Sequence, residues 1–277
     1  MKIMIRAHDL GVKGEENIKR ALRHHGLDGI QFVVYKSLDD VAQRPGAITR
    51  ERAIEAGKTL HGVDIGLIGA YFNPVHPNRE KAALGEAIFR DYLAVARELG
   101  STTVGSETGS YMGDPWGYDE RNLTDEALAL AADSFRRLCD EGARHGSYVG
   151  IEGAYNHVAS TPERLAELVS LIDRSNIRII VDLYNYLNKD NYTEYLDILD
   201  RCISLFGDSI LLYHLKDFVP TEDGLTQCAL GQGFMDYEAI LRRIKAQNPD
   251  AILVMEGTAG DDIPPSTQYL KQIISAI

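Results

Sequence analysis

The sequence predicts a (β/α)8, or TIM, barrel formed as a single domain over residues 1–277, and three observations predict it. Apolar runs of strand length alternate with amphipathic stretches of helix length through eight repeats. No Pro/Ser-rich linker interrupts the series. Four consecutive runs in the second half of the chain each stop on a carboxylate or an imidazole. Strict alternation favours a parallel sheet, and eight repeats in a chain not far above 250 residues favour closure into a barrel. An open doubly wound sheet is the rival, but His8-Asp9-Leu10-Gly11-Val12-Lys13-Gly14 is too sparse in glycine for the dinucleotide fingerprint that would follow its first strand.

In chain order, strands are expected at 2–6, 29–34, 63–69, 102–106, 147–152, 178–182, 210–215 and 251–256. Helices are expected at 14–25, 49–60, 78–99, 124–145, 162–173, 193–206, 236–247 and 265–276. The first strand begins at Met1-Lys2-Ile3-Met4-Ile5-Arg6, too short and too charged for a signal peptide. Gly100, after Arg97-Glu98-Leu99, is placed to stop the third helix. Thr124-Asp125-Glu126 starts the fourth with a hydroxyl cap and acids at its positive end. Ser160-Thr161-Pro162-Glu163 starts the fifth with a cap, an early proline and an acid in the first turn.

A net charge of −12 argues against a nucleic-acid partner, because phosphate binding draws on clustered Lys and Arg. No apolar stretch approaches the 18 residues of a membrane span. Cys139, Cys202 and Cys228 are sparse, odd in number and without a CxxC pair, which fits reduced thiols in a cytoplasmic protein.

The chemistry-bearing set is Glu152, Asp182, His214 and Glu256, at or near the C-terminal ends of predicted strands five to eight and 30, 32 and 42 residues apart. That spacing is about one βα unit each, so a barrel would bring all four to one mouth. A carboxylate at one strand end is usually a turn residue or a helix cap. Four together are harder to explain that way, since buried like charges are costly unless a cation neutralises them. Three carboxylates and an imidazole suit one divalent ion, with Mn²⁺ the leading expectation and Mg²⁺, Co²⁺ or Zn²⁺ the alternatives. If His214 points inward, period-two alternation turns Leu212 and Lys216 inward as well, and Asp217 away. Lys216 is then a cation near substrate, against the alternative of a solvated loop lysine.

An ordered set of segments carries a family resemblance: Asn73-Pro74-Val75-His76-Pro77, Gly105-Ser106-Glu107-Thr108-Gly109, Ile151-Glu152-Gly153, Val181-Asp182-Leu183-Tyr184-Asn185, His214-Leu215-Lys216-Asp217, Gly231-Gln232-Gly233 and Met255-Glu256-Gly257. In these the chain resembles the xylose-isomerase-like barrel superfamily, the sugar phosphate isomerase/epimerase group also labelled AP endonuclease family 2. The resemblance implies that Glu152, Asp182, His214 and Glu256 bind one divalent metal and that Glu152 and Glu256 are also the catalytic acid/base pair. It implies a sugar or sugar-phosphate substrate and a homo-oligomer. One position departs from the pattern. Many sugar epimerases of the group carry a histidine three residues after the strand-six aspartate, where this chain has Asn185, which can hydrogen-bond a hydroxyl but cannot titrate near neutral pH.

The chemistry agrees with an isomerase or epimerase. A weakly acidic C–H beside a carbonyl must lose its proton, a divalent ion would stabilise the enediolate, and two glutamates would remove and return the proton. Further substrate-binding candidates are His8 after the first strand, His76 in a proline-stiffened loop, Glu107 at the end of the fourth strand and His157 after Glu152. Each has a structural alternative as a surface, capping or packing residue. The loop Ser110–Tyr118 holds the only tryptophan and is expected as a lid or a packed surface loop. Gly231-Gln232-Gly233 offers backbone amides to a substrate or phosphate, or is a plain turn. The rival functions are a keto-inositol dehydratase on the same scaffold, a non-catalytic sugar-binding barrel and, disfavoured by acidity and by too few histidines, an apurinic endonuclease.

Overall fold

The computed structural model describes residues 1–114 and 116–277; Pro115, within the expected lid loop, lies outside the described residues. Ten strands occur among the described residues: β1 Lys2–Arg6, β2 Gly29–Phe32, β3 Asp64–Gly69, β4 Thr103–Glu107, β5 Tyr148–Glu152, β6 Ile177–Asp182, β7 Ile210–Leu215, β8 Asp217–Thr221, β9 Gly224–Cys228 and β10 Ile252–Met255. Eight of them close a parallel barrel in the order β1-β10-β7-β6-β5-β4-β3-β2. Helices Glu15–His25, Arg50–Thr59, Arg79–Val95, Asp125–His145, Pro162–Ile172, Tyr195–Phe206, Tyr237–Gln247 and Ile263–Ala276 separate or follow these strands. The sequence-based barrel is the observed one.

Helix starts follow the capping chemistry. Thr124 Oγ1 accepts from Ala127 N, Thr161 Oγ1 from Arg164 N and Asp236 Oδ1 from Ala239 N, each satisfying an otherwise orphaned amide. Most bounds agree within two residues, the helix expected to 99 ends at Val95, and two expected strands end early. The second strand stops at Phe32 because the chain turns into the short helix Val34–Ser37, where Ser37 Oγ donates to the Val33 carbonyl. The last strand stops at Met255, although Glu256 N still donates to Leu215 O at 3.1 Å and so extends the ladder by one residue. The antiparallel hairpin β8–β9 is new. It occupies a segment between β7 and the seventh long helix that carries no strong periodicity.

Two apolar layers hold the fold. The larger lies between the barrel and its helices, with Phe89, Phe135, Leu93 and Leu138 among its buried members. The smaller fills the barrel interior with Met4, Leu67, Ile180, Leu212 and Val254. Full burial of such side chains contributes roughly 1.5–3 kcal/mol each. Ile180, Leu212 and Val254 stand two residues before Asp182, His214 and Glu256, so alternation turns those three side chains into the lumen above this floor. Gly105 and Gly150 hold the same relation to Glu107 and Glu152. A Cβ at Gly105 would come within 2.8 Å of Ile180 Cδ1, and one at Gly150 within 3.2 Å, so Ile180 fills the space these glycines leave.

Candidate active site

At the C-terminal mouth of the barrel, Glu152, Asp182 and His214 are all buried, and each brings one ligand-capable atom within 4.8 Å of the others. Glu256 closes the fourth side, its Oε2 3.0 Å from His214 Nδ1. The same nitrogen is 3.4 Å from Glu152 Oε1 and 3.6 Å from Asp182 Oδ2. The predicted quartet is thus one cluster. Since β5 and β10 are separated by β6 and β7, Glu152 and Glu256 face each other across Asp182 and His214.

The cluster carries its own cations. Lys216 Nζ lies 2.8 Å from Asp182 Oδ2, 2.8 Å from Glu256 Oε1 and 3.0 Å from Asn185 Oδ1. It points inward as the alternation from His214 requires. Arg6 Nη1, from the end of β1, is 3.0 Å from Glu256 Oε1, and Arg6 also pairs with Asp9. Asn185, standing in the place of the expected histidine, donates its Nδ2 to Glu152 Oε1 at 2.7 Å. Its amide ties a carboxylate on β5 to the ammonium on the segment after β7.

These contacts set the protonation balance. Burial opposes the charge on His214, but Glu152 and Glu256 beside it prevail and raise its pKa to about 10. Burial likewise works against the Lys216 ammonium, and Asp182 and Glu256 outweigh it, so the group stays charged. Burial would raise Glu256, yet Lys216, His214 and Arg6 hold it well below the usual carboxylate range. Burial wins at Glu152, which His214 only partly offsets, and its pKa is raised.

The donor set fits a divalent ion. Glu152 Oε2 is buried with no hydrogen-bond partner among the described residues. Asp182 Oδ2 is buried too, and although Lys216 is near, it lacks a contact of hydrogen-bond geometry. Buried carboxylate oxygens without donors are costly, and a cation between them would satisfy both. His214 is already oriented for such a role. Its Nε2 is 2.6 Å from Gln31 Oε1, and Gln31 Nε2 donates to Tyr71 Oη at 2.6 Å. With Nε2 donating to Gln31, Nδ1 is the nitrogen turned to the carboxylates, and loss of its proton would free a lone pair for an ion.

The remaining predicted residues divide. Glu107 lies beside Glu152 in the β4–β5 register, 23% exposed, with its pKa raised to about 8 by burial and then by Glu152. His157 is buried against it, Nδ1 3.9 Å from Glu107 Oε2, and stacks edge-on with Trp116 at 5.5 Å. His8 sits at the rim, 3.7 Å from Asp9, and burial lowers its pKa to about 4. His76 is not brought to the cluster. Its Nε2 faces Asp114 at 3.3 Å, its Nδ1 accepts from Asn78 N, and it lines a separate cavity of about 450 Å³. Asn73 uses both ends of its amide on Ser110 and so pins two loops rather than facing substrate.

The glycine pair has a structural task. Gly231 N and Gly233 N donate to Asp217 Oδ2, and Met235 N to Oδ1, so of the two readings the sequence left open these amides follow the plain turn. Asp217 does face away from the site, as alternation predicts. The loop holding Trp116 is tied to the β5 loop, since Asn156 Nδ2 donates to the Trp116 carbonyl. Sequence reasoning missed Arg6 and Gln31. The available signal was alternation: Met4 faces inward, Arg6 follows it by two, and Gln31 is paired with Arg6 across the sheet, a polar side chain inside an apolar strand.

A model of the xylose isomerase-like TIM barrel family matches residues 20–274. The chain belongs to that family. An uncharacterized protein of Methanocaldococcus jannaschii is 24% identical over 208 residues, covering 74% of this chain and 67% of that protein. Among solved structures, a D-tagatose 3-epimerase-like protein superimposes with a TM-score of 0.76 at 19% identity, covering 100% of this chain and 98% of the other. The IolI protein with a bound zinc atom superimposes with a TM-score of 0.71 at 17% identity, covering 100% and 99%. At these identities the xylose isomerase-like likeness is one of fold. No helix among the described residues is long and apolar enough to cross a membrane.

Proposed function

We propose that the protein is a divalent-metal-dependent sugar isomerase or epimerase that works by proton transfer between carbon and two glutamates. The observation that carries this reading is the opposed pair Glu152 and Glu256, set on facing walls around Asp182 and His214. Glu152, Asp182, His214 and Glu256 would hold one ion, Mn²⁺ being the leading expectation, and an epimerase-like and a zinc-bound relative of the same fold support the class. Such an ion supplies charge stabilisation to a substrate oxygen as the neighbouring carbon loses its proton. The chain does the rest. One glutamate takes the proton from one face of the carbon and its opposite returns one to the other face, which inverts the centre. Asn185 and Lys216 orient the substrate hydroxyls from beside Glu152 and Glu256, and the Trp116 loop keeps water from the exchanging proton.

A second reading, dehydration of a keto-inositol, draws support from Glu107. A carboxyl that keeps its proton at neutral pH can protonate a departing hydroxyl. Solvent-deuterium incorporation into a panel of ketoses separates the two. Exchange at one carbon without loss of water, abolished in Glu256→Gln, supports isomerisation; an absorbing unsaturated ketone supports dehydration; unchanged exchange in Glu256→Gln refutes the acid/base assignment.

A further inference from the structure

A groove of about 790 Å³ runs outward from the site, and the proton-transfer reading does not use it. Its walls are the loops after β4, β5 and β6 and the tip of the β8–β9 hairpin, at Asp223–Leu225. It opens onto the cluster through Tyr184 and Asn185: the Asn185 amide bridges Glu152 and Lys216, and Lys216 Nζ lies 5.6 Å from the Tyr184 ring centre. The volume falls in the roughly 300–1,000 Å³ range of ligand pockets.

The lining has a distinct chemistry. It includes four tyrosines and four asparagines, and Tyr118 and Tyr155 are 56% and 40% exposed. Asn188 Oδ1 accepts from Asp190 N, and Asn156 Nδ2 donates to the Trp116 carbonyl, which leaves the first side chain a donor and the second an acceptor. A hydroxyl both donates and accepts, so it suits such amides, and the C–H face of a pyranose suits an exposed tyrosine ring. The charges point away from phosphate. Lys189 is outnumbered by Asp190 and Asp223 along the groove, and none of the three forms an ion pair among the described residues. Nearer the cluster, Lys216 and Arg6 are engaged by carboxylates.

We infer that this groove is a subsite for a second, uncharged sugar ring, so that the substrate is a neutral glycoside or disaccharide rather than a sugar phosphate. The inference rests on the proposed isomerase reading for which ring reacts, and the groove holds the ring that does not.

The test is calorimetric titration of the purified, Mn²⁺-equilibrated protein with D-fructose, fructose 6-phosphate and three ketose disaccharides, lactulose, palatinose and turanose. At least one disaccharide is expected to bind tenfold or more tighter than fructose. Tyr155→Ala, whose side chain is exposed in the groove and outside the catalytic cluster, should bring that disaccharide to within twofold of fructose and leave fructose unchanged. Fructose 6-phosphate should bind no tighter than fructose. The subsite is overturned if no disaccharide exceeds fructose, if Tyr155→Ala leaves the excess intact, or if fructose 6-phosphate is the tightest of the set. Solvent-deuterium exchange in the same samples separates the two readings. Discrimination between sugars with no exchange overturns the isomerase and retains the subsite, while exchange without discrimination does the reverse.

Discussion

Replacing Lys216 by Met removes the ammonium and keeps most of the stem, which makes it a direct probe of how the buried carboxylates are held. The ammonium sits 2.8 Å from Asp182 Oδ2 and 2.8 Å from Glu256 Oε1. At an effective dielectric of about 20, each contact is worth roughly 6 kcal/mol of gross attraction. Much of this is offset by the desolvation of Lys216 itself, and loss of one partner of a buried ion pair typically costs about 3–5 kcal/mol net. With about 2.1 cal/mol/K of unfolding entropy per residue, a chain of 277 residues has roughly 0.6 kcal/mol/K, so the expected drop is about 5–9 °C in Tm. Differential scanning fluorimetry in chelator-treated buffer at pH 7.5 measures it. The loss should be smaller at pH 6 than at pH 8.5, because carboxyls freed of their cation can take up a proton at the lower pH. Mn²⁺ should then stabilise the variant more than the parent, since no ammonium competes for Asp182 and Glu256; saturation at 100 times Kd contributes about 2.7 kcal/mol. A Tm within 1 °C (about 0.6 kcal/mol) of the parent without metal, or equal gains on adding Mn²⁺, would refute the reasoning.

Gln31→Leu should weaken Mn²⁺ or Co²⁺ binding by roughly 10–100-fold, because His214 loses the acceptor that fixes its ring; metal titration with unchanged affinity would show that packing alone orients it. Metal binding should release a proton from His214, whose pKa is raised to about 10 while a ligating imidazole is neutral. Affinity should therefore climb with pH below 10, and calorimetry in buffers of different ionisation enthalpy should count about one proton at pH 7.5. Burial lowers the His157 pKa from 6.5 to about 4, so the folded state binds fewer protons there than the unfolded chain. Stability should be complete above pH 6.5 and fall by about 3 kcal/mol as pH drops through 4, and His157→Gln should flatten that slope in urea titrations across the window.

Much of the barrel was legible because its signals are local. Alternation within a strand places Ile180 below Asp182 and Leu212 below His214, and capping residues such as Thr124 and Thr161 declare helix starts on chemistry that acts over three residues. The four ligand-capable residues were legible for the same reason, each closing an apolar run. Pairings across the sheet were not. Gln31 meets His214 from a position 183 residues away, and Arg6 reaches Glu256 from the other end of the chain. The Gly231–Gly233 segment stayed open between a ligand-facing turn and a plain one because its partner, Asp217, is visible only once the chain has folded back. The hairpin escaped notice because β8 and β9 are polar and partly exposed, with no apolar period to mark them.

That hairpin is joined to the barrel at one end by the amides around Asp217 and touches the β6 loop where Tyr184 Oη donates to Leu225 O. Its tip contributes to the groove, but none of the four ligand-capable residues stands on it. Loops tolerate insertion and exchange far better than the strands they connect. Descendants of this barrel can therefore alter what the groove holds by rewriting a dozen residues at Asp217–Cys228, with the four-residue cluster inherited intact.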